Sequence, residues 1–374
     1  MKNNKFNRII IIIVSLIIIV LTLLFFFSNK KEFSENENRN LADFPKFTVE
    51  KLFEGEYIPD LTSYLVDHFP FRDNFMSLKT MFFKAIGKTH INGVYLGNDG
   101  YLLEEYTAQK EEMDRLYKAL NEFNQKIPKS TKVSLMLAPT SVEIMSENLP
   151  KYASNTSQKK VIDYIYDNID FNTINVYDVL ERASKEREVY YKTDHHWNTY
   201  GAYLAGVTYD VENGGQSIFP YEAEKINDNF YGTLYSKVID NSLEKDEIYK
   251  LKDKDYIEYR VRDVAKNTVT DTLYEEKWLD EKDKYSYFLG QNQPLLEIKN
   301  ISINTQKSIL IIKDSYANAV IPYLAENYEN VYVIDPRYYK YSISDYAKEK
   351  EVDEILFLYN IKTLETDKDI LLIK

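Results

Sequence analysis

Residues 308–318 read Ser-Ile-Leu-Ile-Ile-Lys-Asp-Ser-Tyr-Ala-Asn, an unbroken apolar run that ends in a polar turn. A strand with one face in water alternates apolar and polar residues. A continuous run therefore marks a strand covered on both sides, as in a parallel α/β sheet. Val133–Leu137, Val331–Ile334 and Ile355–Tyr359 repeat the pattern, separated by segments long enough for crossover helices. Met113, Leu116, Tyr117, Leu120 and Phe123 recur at three- and four-residue steps, which predicts a helix that Pro128 stops. A second helical pattern covers Gln158–Ile169, and a short strand is expected near Ile174–Tyr177. The chain reads as an α/β protein built on a parallel sheet flanked by helices.

The turn after the 308–312 run puts Ser315 where strand ends meet the mouth of an α/β site. The helix that follows offers N–H groups to a developing oxyanion, yet Asp and Ser are also ordinary helix caps, so catalysis and capping both fit. Residues 191–202, Tyr-Lys-Thr-Asp-His-His-Trp-Asn-Thr-Tyr-Gly-Ala, hold two of the four His in the chain. In an extended loop positions i and i+2 point the same way. Asp194 can then hold one ring nitrogen of His196 while the other faces a nucleophile, and His195 points elsewhere. A structural hydrogen-bonded loop and a metal site are the other readings. Metal is the weakest, because adjacent His side chains rarely converge on one ion and no second His pair follows. Asn198 or Thr199 can cap a helix through Tyr203 and Leu204, with Gly201 and Ala202 allowing close packing. His68 and His90 lie in turn-like segments and read as structural.

Composition narrows the function. The chain has no Cys, which removes disulfides, thiolate zinc ligands and a Cys nucleophile together. A net charge of −12 argues against a nucleic-acid partner. The 33 Tyr against 2 Trp fit either contact with sugars or a plain compositional bias. Residues 9–27, IIIIIVSLIIIVLTLLFFF, would span roughly 28 Å as a helix, enough to cross a bilayer. Lys2, Lys5 and Arg8 precede it, and neither a small-x-small cleavage pattern nor a lipid-accepting Cys follows. An uncleaved signal anchor is expected, with a cleaved signal peptide as the alternative and the bulk of the chain outside the cytoplasm either way.

Lys30–Asn40 is polar enough for a tether. His68-Phe69-Pro70-Phe71-Arg72-Asp73 reads as a turn into a helix, and Asn92-Gly93 and Asp99-Gly100 as hairpin turns around Val94-Tyr95-Leu96. Asn241–Pro294 is charged and lacks a clear amphipathic helix. It reads as an excursion from the core, partly strand through the alternation at Tyr256–Val261.

Asp194-His195-His196-Trp197 resembles the signature of the DHHW family, related to the SGNH-like alginate O-acetylation proteins with their Asp-x-His-Trp motif. Other pieces resemble that family too: Glu37-Asn38-Arg39-Asn40-Leu41, Asp67-His68-Phe69-Pro70-Phe71-Arg72, Asn92-Gly93-Val94-Tyr95-Leu96-Gly97, Phe230-Tyr231-Gly232-Thr233-Leu234, Lys313-Asp314-Ser315-Tyr316 and Asp335-Pro336-Arg337-Tyr338-Tyr339. The resemblance implies a Ser315–His196–Asp194 triad that moves an acetyl group through an acyl-enzyme onto a cell-surface polysaccharide. It also suggests an integral-membrane protein that delivers the acyl group, and no cofactor. The Asp/His block precedes the Ser block, the reverse of ordinary SGNH esterases, which implies a circularly permuted core. The usual Gly before Asp-Ser is Lys313. By the same resemblance Asn360 is expected beside the Ser315 N–H in the oxyanion hole and Arg337 at the acyl donor or polymer, with loop capping as the alternative for each, and Tyr316 and Asn318 within the same binding set. The organisation expected is a cytoplasmic tail at 1–8, the anchor at 9–27, a tether and lead-in at 28–60, and a catalytic domain at 61–374 with the excursion at about 241–294. If water replaces the sugar hydroxyl, the same triad is an esterase. A degenerate site would leave a polysaccharide-binding or assembly protein.

Overall fold

The apolar runs become strands of one eight-stranded sheet in a computed structural model that describes residues 2–214, 220–252 and 257–373. The strands are β1 (Lys132–Ala138), β2 (Asn172–Ile174), β3 (Tyr259–Asp263), β4 (Thr268–Thr270), β5 (Leu295–Asn300), β6 (Ser308–Lys313), β7 (Asn330–Ile334) and β8 (Glu354–Asn360). Their order across the sheet is β4-β3-β5-β7-β6-β8-β1-β2. From β7 to β2 every neighbour is parallel, whereas β5 joins β7 antiparallel and β3 and β4 continue that sense. The parallel sheet expected from sequence is present from β7 to β2, and the three antiparallel strands β5, β3 and β4 make the whole sheet mixed. Of the four strands that gave continuous apolar runs, β1, β6 and β8 are buried along almost their whole length and β7 leaves Asn330 and Tyr332 half-buried, while β3 and β4 alternate or lie exposed at the edge.

The helix expected ahead of β1 spans Lys110–Lys126 and buries Met113, Leu116, Leu120 and Phe123. Phe123 meets Phe357 of β8 edge to face, with centroids 5.3 Å apart. The Gln158 pattern is a helix over Gln158–Tyr166. The strand expected at Ile174–Tyr177 is shorter and earlier: β2 ends at Ile174, and Tyr177 opens a helix to Ser184 that buries only Tyr177 and Leu180. Asn92-Gly93 is the two-residue turn of a hairpin pairing His90–Ile91 with Val94–Leu96, both turn residues at positive φ. Asp99-Gly100 turns the chain into Leu102–Glu104. The 241–294 excursion supplies β3, β4 and a separate strand, Asp246–Leu251, paired with Ala223–Phe230. Tyr256, where its strand was expected to begin, lies outside the described residues.

These elements belong to one of two units, Thr89–Leu234 with Leu243–Lys374; the other comprises Met1–Lys88 with Tyr235–Ser242. The second unit opens with a helix, Lys2–Phe27, whose Lys5–Phe27 part is long and apolar enough to cross a membrane. The stretch read as a tether carries a short ladder between Phe33–Ser34 and Arg39–Asn40. Arg39 grips Asp67 with both terminal nitrogens (2.8 and 2.5 Å), and Arg72 pairs with Glu37 at 2.5 Å. The Arg39 hydrogen bonds hold the Asp67 carboxyl down at about 2. Helices Val49–Phe53, Tyr57–Asp67 and Arg72–Ala85 follow. His68 bonds the Ala42 carbonyl at 3.0 Å and His90 lies 3.1 Å from Glu105, both in structural posts.

Candidate active site

Of residues 308–325, only Ser315 is not buried. Strand β6 delivers it, and Asp314 shapes the turn. One Asp314 oxygen accepts the Tyr316 N–H at 2.8 Å; the other accepts the Asn360 backbone and side-chain N–H groups at 2.9 and 2.6 Å. Capping and exposure are therefore divided between neighbours: Asp314 caps, which leaves the Ser315 hydroxyl to the site. Among the described residues the Ser315 N–H has no hydrogen-bond partner, so a backbone donor stands beside the hydroxyl.

His196 reaches that hydroxyl from the 191–198 loop, with Nε2 2.8 Å from Ser315 Oγ. Its Nδ1 lies 2.6 Å from Asp194 Oδ1, which also accepts the His196 N–H at 3.0 Å. The second Asp194 oxygen accepts the Thr233 N–H and hydroxyl at 2.8 and 3.1 Å. Burial opposes the charge on Asp194, but His196, His195 and these donors outweigh it and hold the carboxyl far below the usual range. Burial first, and the His195 ring second, push His196 down to about 4 against the pull of Asp194. The imidazole is neutral at ordinary pH, with Nδ1–H donating to Asp194 and Nε2 open to a proton from Ser315.

Several residues fix this loop. Asp246 accepts the N–H groups of Lys192 and Thr193 and the Thr193 hydroxyl at 2.5 to 2.8 Å, and burial pushes it up to about 6. Gly232 leaves the space that Asp194 fills: a Cβ there would lie 2.2 Å from the Asp194 Cβ. Gly201 does likewise, since its Cβ would meet the Val189 carbonyl at 2.3 Å. Asn198 is the helix cap, accepting from Tyr200 and Gly201 N–H at 3.0 Å, whereas Thr199 bonds the Tyr249 carbonyl. The Trp197 indole donates to the Tyr316 carbonyl at 2.9 Å and ties this loop to the Ser315 turn. Tyr285 lies flat on His196, with centroids 3.7 Å apart and planes 8° apart, and its hydroxyl donates to the Ser315 carbonyl at 3.2 Å.

Sequence reading placed Ser315, His196 and Asp194 together, and so does the structure. The structure corrects the orientation expected of His195. His195 does not point away: its ring packs 3.8 Å from that of His196, with Nδ1 2.6 Å from the Thr233 hydroxyl. Asn360 caps the helix after β8. Its two amide hydrogens go to Asp314 and Thr363, leaving neither for an oxyanion. The buried Tyr316 donates its hydroxyl to the His195 carbonyl. Asn318 is buried and accepts from Lys313 Nζ at 2.7 Å. Arg337 is clamped on the buried Asp335 through Nε and Nη2 at 2.8 and 2.6 Å. Lys313, in the usual Gly position, is itself buried. Burial lowers it to about 8, and it spans Asn292, Asn318 and, at 3.9 Å, Asp335.

Thr233, Gly232, Asp246 and Tyr285 were missed as parts of the site. The Phe230–Leu234 motif carried a signal for the first two; the excursion gave none for Tyr285. Donor atoms of Asp194, His195 and His196 fall within 4.8 Å of one another. A cation there would have to break the Asp194–His196 bond, since both His196 ring nitrogens and both Asp194 oxygens are engaged. The set suits proton transfer and nucleophilic attack by a hydroxyl.

The family described as DHHW protein matches residues 83–334. No curated protein matches the chain. A DHHW family protein from Eubacterium siraeum superposes with a TM-score of 0.65 at 23% identity, covering 75% of this chain and 95% of that one. PatB1 from Bacillus cereus gives a TM-score of 0.64 at 22% identity, covering 75% and 99%, and has also been determined with a sulfonyl adduct. The O-acetyltransferase domain of Pseudomonas putida AlgJ matches at 13% identity with a TM-score of 0.48, covering 75% and 95%.

Proposed function

The chain belongs to the DHHW protein family, and from that premise we propose that it is a membrane-anchored O-acetyltransferase acting on a polysaccharide outside the cytoplasm. One observation carries the reading: Ser315, the one residue of the 308–325 block that is not buried, has its hydroxyl 2.8 Å from His196 Nε2, and the opposite ring nitrogen rests on an ionised carboxylate. The motif resemblance to the alginate O-acetylation proteins supports acetyl as the group and a sugar as the acceptor. The Lys5–Phe27 helix supports the anchor.

In this mechanism Ser315 Oγ attacks the acetyl carbonyl while His196 Nε2 takes its proton, and Asp194 keeps the ring oriented and stabilises the imidazolium. The Ser315 N–H donates to the tetrahedral oxyanion, with a second donor still to be supplied by the substrate-bound site. His196 returns the proton to the leaving group, leaving acetyl-Ser315. A sugar hydroxyl then attacks that ester, His196 takes the sugar proton, and Ser315 Oγ regains a proton as the acetyl ester of the sugar departs. Acetyl delivered by an integral-membrane protein fits a site tethered to the bilayer. Since the Asp/His block precedes the serine, the reading includes a circularly permuted SGNH core.

The test uses the full chain in detergent with an activated acetyl ester, with and without oligosaccharide acceptors, beside Ser315→Ala. A sulfonyl fluoride, the reagent class suggested by the PatB1 adduct, is the covalent probe. Turnover lost in Ser315→Ala, a sulfonyl group mapped to Ser315 and acetyl diverted to the sugar are expected. Turnover onto water alone would make the protein an esterase. Equal activity in wild type and Ser315→Ala, without labelling, would leave a polysaccharide-binding protein.

A further inference from the structure

Helix Arg72–Ala85 is amphipathic the wrong way round for a soluble protein. Phe71, Phe75, Leu78, Phe82 and Ile86, spaced four, three, four and four residues apart, make one stripe along it and its flanks. All five are open to solvent, 46 to 61% exposed. The opposite stripe, Asp73, Ser77, Thr80 and Lys84, is the one that faces protein. Asp73 accepts from the Asn36 amide at 2.7 Å, and Ser77 accepts the Asn241 N–H at 3.4 Å. Thr80 donates to the Val238 carbonyl and Lys84 to Asp240, both at 2.7 Å. A helix that turns its polar side inward and five large apolar side chains outward presents a run of exposed apolar surface of the kind that marks an interaction surface.

Two observations say what covers it. The stripe begins beside the exit of the apolar helix: Phe69, Pro70 and Phe71 line one cavity of about 350 Å³ with Leu24 and Ser28. The Tyr64 ring meets Phe25 at 6.2 Å and Phe44 at 5.2 Å. Ile58, Leu65, Val66 and Phe69, also exposed, continue the apolar surface onto the neighbouring helix Tyr57–Asp67. In addition, the local charge reverses that of the chain. From Asn74 to Lys88 there are three Lys and no acidic residue, in a protein of net charge −12. Lys79 and Lys88 lie over the Phe83 ring, their ammonium groups 5.6 and 4.4 Å from its centre. An apolar stripe flanked by Lys is the composition of a helix lying in a bilayer interface, with its ammonium groups among anionic headgroups.

We infer that Arg72–Ile86 lies in the outer leaflet surface of the membrane, its Phe71–Ile86 stripe against acyl chains, as a second attachment beyond the spanning helix. The inference rests on the anchor reading and deepens it. It involves a segment largely ahead of residue 83, where the family match begins.

The absence of Cys makes the test direct, because a single introduced Cys is unique. Full-length protein carrying Ile18→Cys, Leu78→Cys, Phe82→Cys or Tyr152→Cys, each spin-labelled, is reconstituted in phosphatidylglycerol–phosphatidylethanolamine vesicles. Collision rates with oxygen and with a water-soluble nickel chelate are then compared. Tyr152, 89% exposed, is the aqueous reference and Ile18 the lipid reference. At 78 and 82 the oxygen-to-chelate ratio should be about ten-fold above that at 152 and approach that at 18. Ratios at 78 and 82 equal to that at 152, with 18 in lipid, overturn the inference and leave the anchor intact. Shielding of 78 and 82 from both reagents overturns it in favour of a protein cover. A label at 18 that behaves like 152 removes the anchor reading itself.

Discussion

Gly232→Ala concentrates the geometry of the site into one atom. The added Cβ would lie 2.2 Å from the Asp194 Cβ, 2.4 Å from its Oδ2 and 2.6 Å from its Cα. The glycine's φ is not in the left-handed region, so the cost is collision and not backbone strain. Asp194 cannot swing aside, because both oxygens are engaged, and Gly232 donates its own N–H to the Thr193 hydroxyl at 3.0 Å. One segment must move by about 1.3 Å or more to reach ordinary contact distance. Such overpacking costs about 1–3 kcal/mol of stability. A displacement of that size in a proton-transfer array costs about 100-fold in turnover, or about 2.7 kcal/mol of barrier. The assay is kcat/KM for an activated acetyl ester with Tm measured in parallel. A folded variant whose Tm falls but whose kcat/KM matches wild type would refute the claim that the seating of Asp194 governs turnover.

Other outcomes follow from the same geometry. Tyr285→Ala removes the ring stacked on His196 and should lower kcat/KM by about ten-fold or more, whereas Tyr285→Phe keeps the ring and loses only long hydrogen bonds, about 1 kcal/mol or less; equal effects of the two would contradict a stacking role. Arg337→Ala strips Asp335 of its clamp and leaves Lys313 at 3.9 Å, so Tm should drop with a loss of about 3–5 kcal/mol. A rise in KM at unchanged Tm would instead restore Arg337 to substrate binding. Since His196 is neutral above about 4, kcat/KM should hold steady as pH falls from 8 to 5.5 and drop only near 4, while a half-loss near the ordinary imidazole value of about 6.5 would contradict its burial.

The sequence announces what burial on both faces makes local. β6 and β8 were legible because every position from Ile309 to Ile312 and from Ile355 to Tyr359 is enclosed, so no polar residue interrupts the run. β3, Tyr-Arg-Val-Arg-Asp, keeps Arg260 and Arg262 where a face meets water and gave a weaker signal, and β5, Leu-Leu-Glu-Ile-Lys-Asn, with Lys299 exposed, was not read as a strand. In the site, Asp194 and His196 were readable because they are two residues apart and share one turn. The supports of that pair were not, because their partners are distant in sequence: Thr233 lies 39 residues from Asp194, and Asp246 lies 53 from Thr193. Asn360 was open in the sequence between an oxyanion role carried by the resemblance and a loop cap, and its hydrogen bonds make it the brace of the Ser315 turn.

The position of β8 in the sheet has a consequence for how the protein matures. β8 lies between β6 and β1, yet it is made after both, so the two halves of the sheet have no direct seam until it arrives. The Asp194–His196 loop follows β1 and β2, Ser315 follows β6, and the Asn360 that pins Asp314 ends β8. The hydroxyl and its base are therefore brought into register by the last strand to emerge, through contacts of long sequence separation that form late. A chain still short of β8 carries its serine on a turn that Asn360 does not yet brace. The reactive centre is complete only once β8 has taken its place between β6 and β1.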